Sequence, residues 1–184
     1  MVTSYKPPVE GKSLTKVLIT NWKSPVAKVR FSNIVHPFYY PNSPGIARYS
    51  VTVTIDPEEH KDFIQSMVKM EKSEKANTQF KQEIRKGDET NPGPIATGNS
   101  LFKFQLDKST PIFKIMEGKP VPHTLEDELP RGSEIEVIFD ISRYTNRTSN
   151  SYGISSRATK IIIHSLPEYK EEASSVSEDE TTPF

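Results

Sequence analysis

Apolar and polar residues alternate strictly along several segments of this chain, and this period of two constrains its fold more than any other feature. The segment Arg48–Ile55 (RYSVTVTI) places its apolar residues at every odd position, and Glu134–Tyr144 (EIEVIFDISRY) begins in the same way. Successive side chains of a strand point to opposite faces of a sheet. Both segments are therefore predicted to be strands with one buried face.

Three further segments carry a similar signal: Val26–Val35, Phe102–Leu106 and Tyr152–His164. The last of them ends in Lys160–Ile163, which is apolar on both faces and is predicted to lie centrally in a sheet. A hairpin is predicted from Ile112 to Val121. Five aromatic residues are in phase with aliphatic neighbours and are predicted to be core: Phe31, Tyr49, Phe102, Phe104 and Phe139.

One helix is predicted after the second long strand, over about residues 57–85. Asp56 suits an N-cap, Pro57 suits the first helical position, and apolar residues follow from Phe63 at helical spacing. Two prolines are expected to hold His36–Pro41 out of regular structure. About five strands with one inserted helix, and no βαβ alternation, predict an all-β fold: an OB-type five-stranded antiparallel barrel.

Charge divides the chain unevenly despite a net charge of zero. Residues 168–184 contain six of the 24 acidic residues and one of the 24 basic residues, so the body carries +5 and this tail −5. The tail lacks a core-forming pattern and is predicted to be disordered. We divide the chain into an N-terminal arm (1–25), an OB domain (26–167) and an acidic tail (168–184).

Several classes of function are disfavoured by what the sequence lacks. There is no cysteine, which excludes disulfides and thiolate metal sites and fits a reducing compartment. No apolar run approaches the length of a membrane span. The four histidines have no metal-ligand spacing, and no phosphate-binding glycine loop is present. We therefore expect no enzyme, no cofactor, no metal and no membrane partner.

Aromatic and basic residues cluster in stretches that are expected to be exposed. Binding of single strands needs cations for the phosphates and flat rings for the bases. Trp22 could instead plug the barrel end, and single arginines are often only solvated charge, so the prediction depends on the clustering. The candidate DNA-binding residues are Trp22, Lys23, Lys28, Arg30, Phe38, Tyr39, Tyr40, Arg48, Lys103, Arg143, Tyr144, Arg147, Tyr152 and Arg157.

The end of the tail is a candidate site for a protein partner. Its ring and terminal carboxylate would suit a pocket with an apolar floor and a basic rim. The same negative run could compete with DNA for a cationic groove, or could serve only solubility. The residues concerned are Glu178, Asp179, Glu180, Pro183 and Phe184.

The chain resembles the single-stranded DNA-binding proteins of short-tailed bacteriophages. The similar stretches are ARYSVTVTIDPEEHKDFIQSMVKM, SLFKF, GSEIEVIFDISRY, YGISSRATKIIIHSL and the ending SEDETTPF. The resemblance implies an OB fold, sequence-independent binding and annealing of single strands, and a role in replication and recombination. It also implies dimers, and a tail that contacts the replicative DNA polymerase and the helicase-primase in the cytoplasm of an infected bacterium.

One position departs from the family's pattern. Tyr144 matches a DNA-stacking aromatic, but a second aromatic two residues later is replaced here by Asn146. Tyr152, across the loop, could compensate. An RNA-binding OB protein and a protein-interaction adaptor remain alternatives, because stacking and phosphate contacts serve RNA as well as DNA. The sequence leaves site size, cooperativity, oligomeric state and the identity of the tail's partner open.

Overall fold

The structure is a computed structural model that describes residues 15–90, 92–146 and 151–167. Nine strands and one helix are present in this part of the chain. The helix α1 spans Lys61–Ser73. The strands are β1 (Thr15–Lys23), β2 (Ala27–Tyr40), β3 (Ser43–Ile55), β4 (Lys81–Arg85), β5 (Ile95–Leu106), β6 (Ile112–Met116), β7 (Lys119–Pro122), β8 (Glu134–Asn146) and β9 (Ser151–Ser165).

Five of these strands close into a barrel in the order β8–β2–β3–β5–β9, because β9 pairs back with β8. Four of the pairings are antiparallel. The fifth, between β5 and β9, is parallel and is marked by the pair Gln105 and Arg157. The predicted five-stranded OB barrel is therefore confirmed, with one parallel seam. Closure removes the free edges of these strands.

Four shorter strands extend the barrel. β1 pairs with β8, so the second half of the predicted N-terminal arm is a strand of the sheet. β4 pairs with β5. The predicted hairpin is confirmed as β6 and β7, and β6 runs parallel to β9. β9 thus pairs with β5, β6 and β8, which confirms its predicted central position.

Alternation fills the barrel interior with apolar side chains. Val51 pairs with Phe104 and Val53 pairs with Phe102, and all four are buried. Phe139 of β8 joins them, with ring centroids 4.9 Å from Phe104 and 6.2 Å from Phe102. Full burial of each such side chain contributes about 1.5–3 kcal/mol. This core fixes which faces of β3, β5 and β8 point outward.

The helix is shorter than the sequence predicts. Asp56 forms a turn in which its carboxylate accepts the Glu58 N–H, and α1 begins only at Lys61. It ends at Ser73 because Lys75 adopts the left-handed conformation, with φ 54°, which a regular helix does not accommodate. The predicted continuation to residue 85 is wrong, since residues 81–85 form β4 instead.

The prediction that residues 36–41 lie outside regular structure is also wrong, because β2 continues to Tyr40. Proline removes a ladder donor, so it is tolerated only where the pairing is interrupted. The register of β2 on β3 shifts between Asn33 and Phe38, and Pro37 lies inside that irregular stretch.

A carboxylate from a distant loop satisfies the backbone of this irregular stretch. Glu128 accepts hydrogen bonds from the N–H groups of Ile34, Val35 and His36 at 2.8, 2.7 and 2.6 Å, and from the Ser32 hydroxyl. Burial alone would raise the pKa of Glu128, but these hydrogen bonds stabilise the carboxylate and the pKa lies below its ordinary value. Glu128 therefore holds β2 in its irregular path.

Candidate functional site

A groove of about 620 Å³ crosses the outer face of the barrel over β2, β3 and β5. Its floor is built from outward-facing side chains of β3 and β5, because the alternating partners of these residues fill the core. Thr52 and Lys103 are one such outward pair, directly opposite each other in the sheet. The lining residues are Phe31, Asn33, Phe38, Tyr40, Ile46, Ala47, Arg48, Tyr49, Ser50, Thr52, Lys103, Gln105, Leu106, Asp107, Lys108 and Arg157.

Phe31 lies in this groove and not in the core, which corrects the sequence prediction. Val29 pairs with the buried Val53, whereas Phe31 pairs with the outward Thr52, so β2 carries a bulge between them. One extra residue in a strand moves the following side chains to the opposite face. Phe31 is consequently 54% exposed, and the Arg30 guanidinium lies 5.1 Å from its ring centroid.

Two of the predicted aromatic residues, Phe38 and Tyr40, line the same groove where β2 leaves the barrel. Their rings meet edge to face at 5.0 Å, which fixes each relative to the other. The Arg48 guanidinium lies 5.2 Å from the Tyr40 ring. Tyr39 is half exposed but does not line the groove, since neighbouring residues of a strand point to opposite faces.

Four cations line the groove: Arg48, Lys103, Lys108 and Arg157. Three of them were predicted to bind DNA, and Lys108 was missed because it follows its strand in a turn. One carboxylate lies among them. Asp107 accepts a hydrogen bond from Arg157 Nη1 at 2.6 Å, and both side chains are about half exposed or more. The lining thus carries a net positive charge.

A second cluster lies at the open end of the β8–β9 pair. The Tyr144 ring lies over Gly153, its cross-strand partner, so closely that a Cβ on Gly153 would be 2.2 Å from Tyr144 Cζ. Next to it, the Arg143 guanidinium lies 4.5 Å from the Tyr152 ring centroid. Both tyrosines are 37% exposed. Each therefore has contacts on one side of its ring and remains partly open to solvent.

The end of α1 supports this second cluster. Glu74, the residue after the helix, forms an ion pair of 3.0 Å with Arg143 Nη1. The Tyr152 carbonyl accepts a hydrogen bond from the Asn77 N–H at 3.1 Å, and Ala76 forms an isolated parallel β-bridge with Tyr152. These contacts orient Arg143 and Tyr152 before any ligand is present.

The remaining predicted residues lie elsewhere. The Trp22 ring packs on Phe139 and Phe63, at centroid distances of 5.9 and 6.0 Å. This packing agrees with the alternative that Trp22 plugs the barrel end. Lys23 pairs with Glu136, and Lys28 is exposed on β2.

Arg30 is largely buried and pairs with Glu83 at 3.4 Å. Arg147 and the predicted tail residues Glu178, Asp179, Glu180, Pro183 and Phe184 lie outside the described residues.

The two clusters share one chemistry. Exposed aromatic rings alternate with guanidinium and ammonium groups, which suits a polymer that carries both planar groups and negative charges. Within residues 15–90, 92–146 and 151–167, no group of three His, Cys, Asp or Glu side chains could hold a metal ion. No helix in those residues is long and apolar enough to cross a membrane.

Comparison with solved structures places the fold among phage proteins. The chain is similar to gp2.5, a single-stranded DNA-binding protein encoded by bacteriophage T7, with a TM-score of 0.53 and 15% identity over 80% of this chain and 93% of that chain. It is similar to the single-stranded DNA-binding protein from bacteriophage Enc34, with a TM-score of 0.51 and 14% identity over 92% and 99%. For the Enc34 protein in complex with ssDNA, the TM-score is 0.50 with 17% identity over 79% and 86%.

No protein-family model matches the sequence, and neither does any curated protein. At identities of 14–17% the shared property is the fold. The resemblance expected from the sequence is confirmed at that level.

Proposed function

We propose that this protein binds single-stranded DNA without sequence preference, along the groove over β2, β3 and β5. The observation that carries the proposal is the convergence of Phe31, Phe38, Tyr40 and four cations on this one outer face. In an OB barrel, the second and third barrel strands, the first hairpin and the loop between the last two strands are the surface that binds oligonucleotides. Those elements are here β3, β5, the β2–β3 hairpin and the β8–β9 loop.

The proposed mechanism divides the work between rings and cations. Arg48, Lys103 and Lys108 neutralise phosphates, which releases counterions and makes affinity fall with salt. The rings stack on bases, which is tolerant of sequence because every base has a π-face. Phe31 and Tyr40 contribute from the groove, and Tyr144 and Tyr152 extend the path toward the β8–β9 loop. The bound DNA in one of the similar Enc34 structures supports this proposal.

Binding is tested by fluorescence anisotropy with a fluorescein-labelled oligothymidylate, a mixed-sequence single strand, its duplex and the matching RNA, at about 50 and about 200 mM salt. We expect tight, salt-sensitive and sequence-independent binding to single-stranded DNA, and weaker binding to the duplex. Equal affinity for RNA would favour the RNA-binding alternative. If neither single strand bound at the lower salt, with or without residues 168–184, the proposal would be wrong.

The broader role is also a proposal. We infer that the protein coats single strands during phage replication and recombination, promotes annealing, and acts as a dimer in the cytoplasm of the infected host. Its acidic tail would recruit the replicative polymerase and the helicase-primase and would compete with DNA for the cationic groove. Support for this comes from the fold and from the −5 charge of residues 168–184 opposite a +5 body.

Removal of residues 168–184 tests the tail. We expect the truncated protein to bind single-stranded DNA more tightly and to lose co-sedimentation with the polymerase and the helicase-primase. Addition of the tail as a separate peptide should compete with DNA, and a scrambled peptide of the same charge shows how much of that competition needs Phe184. Weaker DNA binding after truncation would contradict the competition.

A further inference from the structure

The groove contains one charge of the wrong sign for a DNA-binding surface. Of the 16 described residues that line it, Asp107 is the single carboxylate beside the cations Arg48, Lys103, Lys108 and Arg157. A phosphate entering the groove would be repelled by Asp107. Its position therefore needs a reason other than attraction of the ligand.

The structure fixes Asp107 at this place through its backbone. The Asp107 N–H donates to the Thr110 hydroxyl at 2.9 Å, and the Asp107 carbonyl accepts the Thr110 N–H at 3.0 Å. This turn ends β5 and leaves the Asp107 side chain over the β5–β9 seam. Arg157 lies on the other side of that seam, where it pairs with Gln105.

The contact between the two side chains is short. Arg157 Nη1 donates to Asp107 Oδ1 at 2.6 Å, which is the geometry of a charge-assisted hydrogen bond. A phosphate oxygen would bind the same guanidinium, which has five N–H donors, one of which Asp107 already occupies. Asp107 and a phosphate of the bound strand would therefore compete for the charge of Arg157.

We propose that Asp107 is an internal competitor that occupies Arg157 in the free protein and limits the affinity for single-stranded DNA. This inference rests on the proposed function and adds a residue that sets its strength. Because the Arg157–Asp107 ion pair carries no net charge, it neutralises no phosphate on balance and adds nothing to the counterions that the DNA releases on binding. Such a competitor would let the protein dissociate from the strand faster without any change in the shape of the groove.

The test is the isosteric substitution Asp107→Asn, which keeps both backbone hydrogen bonds to Thr110. We expect single-stranded DNA to bind about two- to fivefold more tightly at low salt, the range of an exposed ion pair. The plot of log K against log salt should become steeper by about 0.7, the contribution of one additional neutralised phosphate on a single strand. Glu126→Gln makes the same charge change at an exposed residue outside the groove lining and should change neither quantity.

Arg157→Gln completes the cycle. In that background, Asp107→Asn should no longer steepen the salt dependence, because the competed cation is gone. The inference would be overturned if Asp107→Asn behaved like Glu126→Gln, or if it weakened binding, since Asp107 would then orient Arg157 for DNA. If the unchanged protein itself failed to bind single strands at low salt, the proposed function would fail, which is a result distinct from either of these.

Discussion

Replacement of Gly153 by alanine should displace the Tyr144 ring and lower the affinity for single-stranded DNA while leaving the barrel folded. A Cβ at this position would lie 2.2 Å from Tyr144 Cζ, 2.4 Å from its hydroxyl oxygen and 2.6 Å from its Cε1, whereas ordinary contact begins at 3.4 Å. The ring must therefore withdraw by about 1.2 Å or more, the difference between the 3.4 Å of ordinary contact and the 2.2 Å to Tyr144 Cζ. It can do so because the clashing atoms are the far end of a side chain and not backbone.

The magnitude follows from what Tyr144 is proposed to do. Stacking of one base on an aromatic side chain is worth about 1–3 kcal/mol, so the loss of a correctly placed ring should raise Kd by about 5- to 150-fold. Fluorescence anisotropy measures this change. Overpacking a core costs about 1–3 kcal/mol, but here the strain is relieved when the ring moves outward. Thermal unfolding should therefore show only a small loss of stability.

A double-mutant cycle with Tyr144→Ala makes the reasoning refutable. Once the ring is absent, the three atoms nearest to the extra methyl group at position 153 are gone, and Gly153→Ala should leave DNA affinity unchanged. It should even stabilise the fold by about 0.5–1 kcal/mol, the usual advantage of alanine over glycine within a strand. If Gly153→Ala lowered DNA affinity equally with and without Tyr144, the ring would not be the intermediary. If it changed affinity in neither, Tyr144 would lie outside the DNA path.

Three further predictions test other parts of the structure. Phe31→Ala should weaken single-strand binding by about 1–3 kcal/mol and should cost less than about 0.5 kcal/mol of stability. The control Phe104→Ala, in the core, should cost about 3–5 kcal/mol of stability. Equal losses of stability in the two variants would show that Phe31 belongs to the core. Glu128→Gln should destabilise the fold by about 1–3 kcal/mol at neutral pH. Because the folded-state pKa of Glu128 is lowered, the extra stability of the wild type over Glu128→Gln is fully present above pH 4.5 and is lost as the pH falls through the folded-state pKa. A difference in urea midpoint between the two proteins that persisted at acid pH would contradict this. Burial raises the pKa of Glu71 above 4.5, although hydrogen bonds from its neighbours act in the opposite direction, so its charged form opposes folding at neutral pH. Glu71→Gln should therefore raise the urea midpoint at pH 7 and have little effect below pH 4.5. A lower midpoint at pH 7 would show that the hydrogen bonds outweigh burial.

The sequence predicts the barrel well where one periodicity holds over a whole strand. Residues 48–55 alternate without interruption, and residues 134–141 do so apart from the half-buried Ile138. The structure buries the apolar side chains on the core face of both strands, except Tyr49, which is half-buried against the core and also lines the groove. The predicted helix fails at its end because Lys75, an ordinary residue in sequence terms, takes a left-handed conformation. Beyond it, the apolar residues that continued the helical spacing belong partly to the core and partly to the exposed strand β4. Local spacing does not carry that information.

The site was predicted less completely because ion pairs and cross-strand packing are set by the fold. Arg30 and Arg157 look equivalent in the sequence, yet Arg30 is largely buried against Glu83 while Arg157 lies open in the groove. Trp22 could be predicted from the sequence either as a stacking residue or as a plug at the barrel end, and the structure packs it, half-buried, against the core. Each difference depends on a partner more than 30 residues away in the chain or on the closure of the barrel.

The same irregularity that misleads the sequence pattern creates the proposed binding surface. A regular β2 would have buried Phe31 with Val29 and would have left the groove without its central ring. The bulge turns Phe31 outward, and the interrupted ladder that follows needs another acceptor for its N–H groups, which Glu128 supplies from 92 to 94 residues away. Local disagreement between sequence pattern and fold tends to concentrate at functional sites. Glu128 therefore contributes to the groove without lining it, since the path of β2 that it holds determines where Phe31, Phe38 and Tyr40 can present their rings.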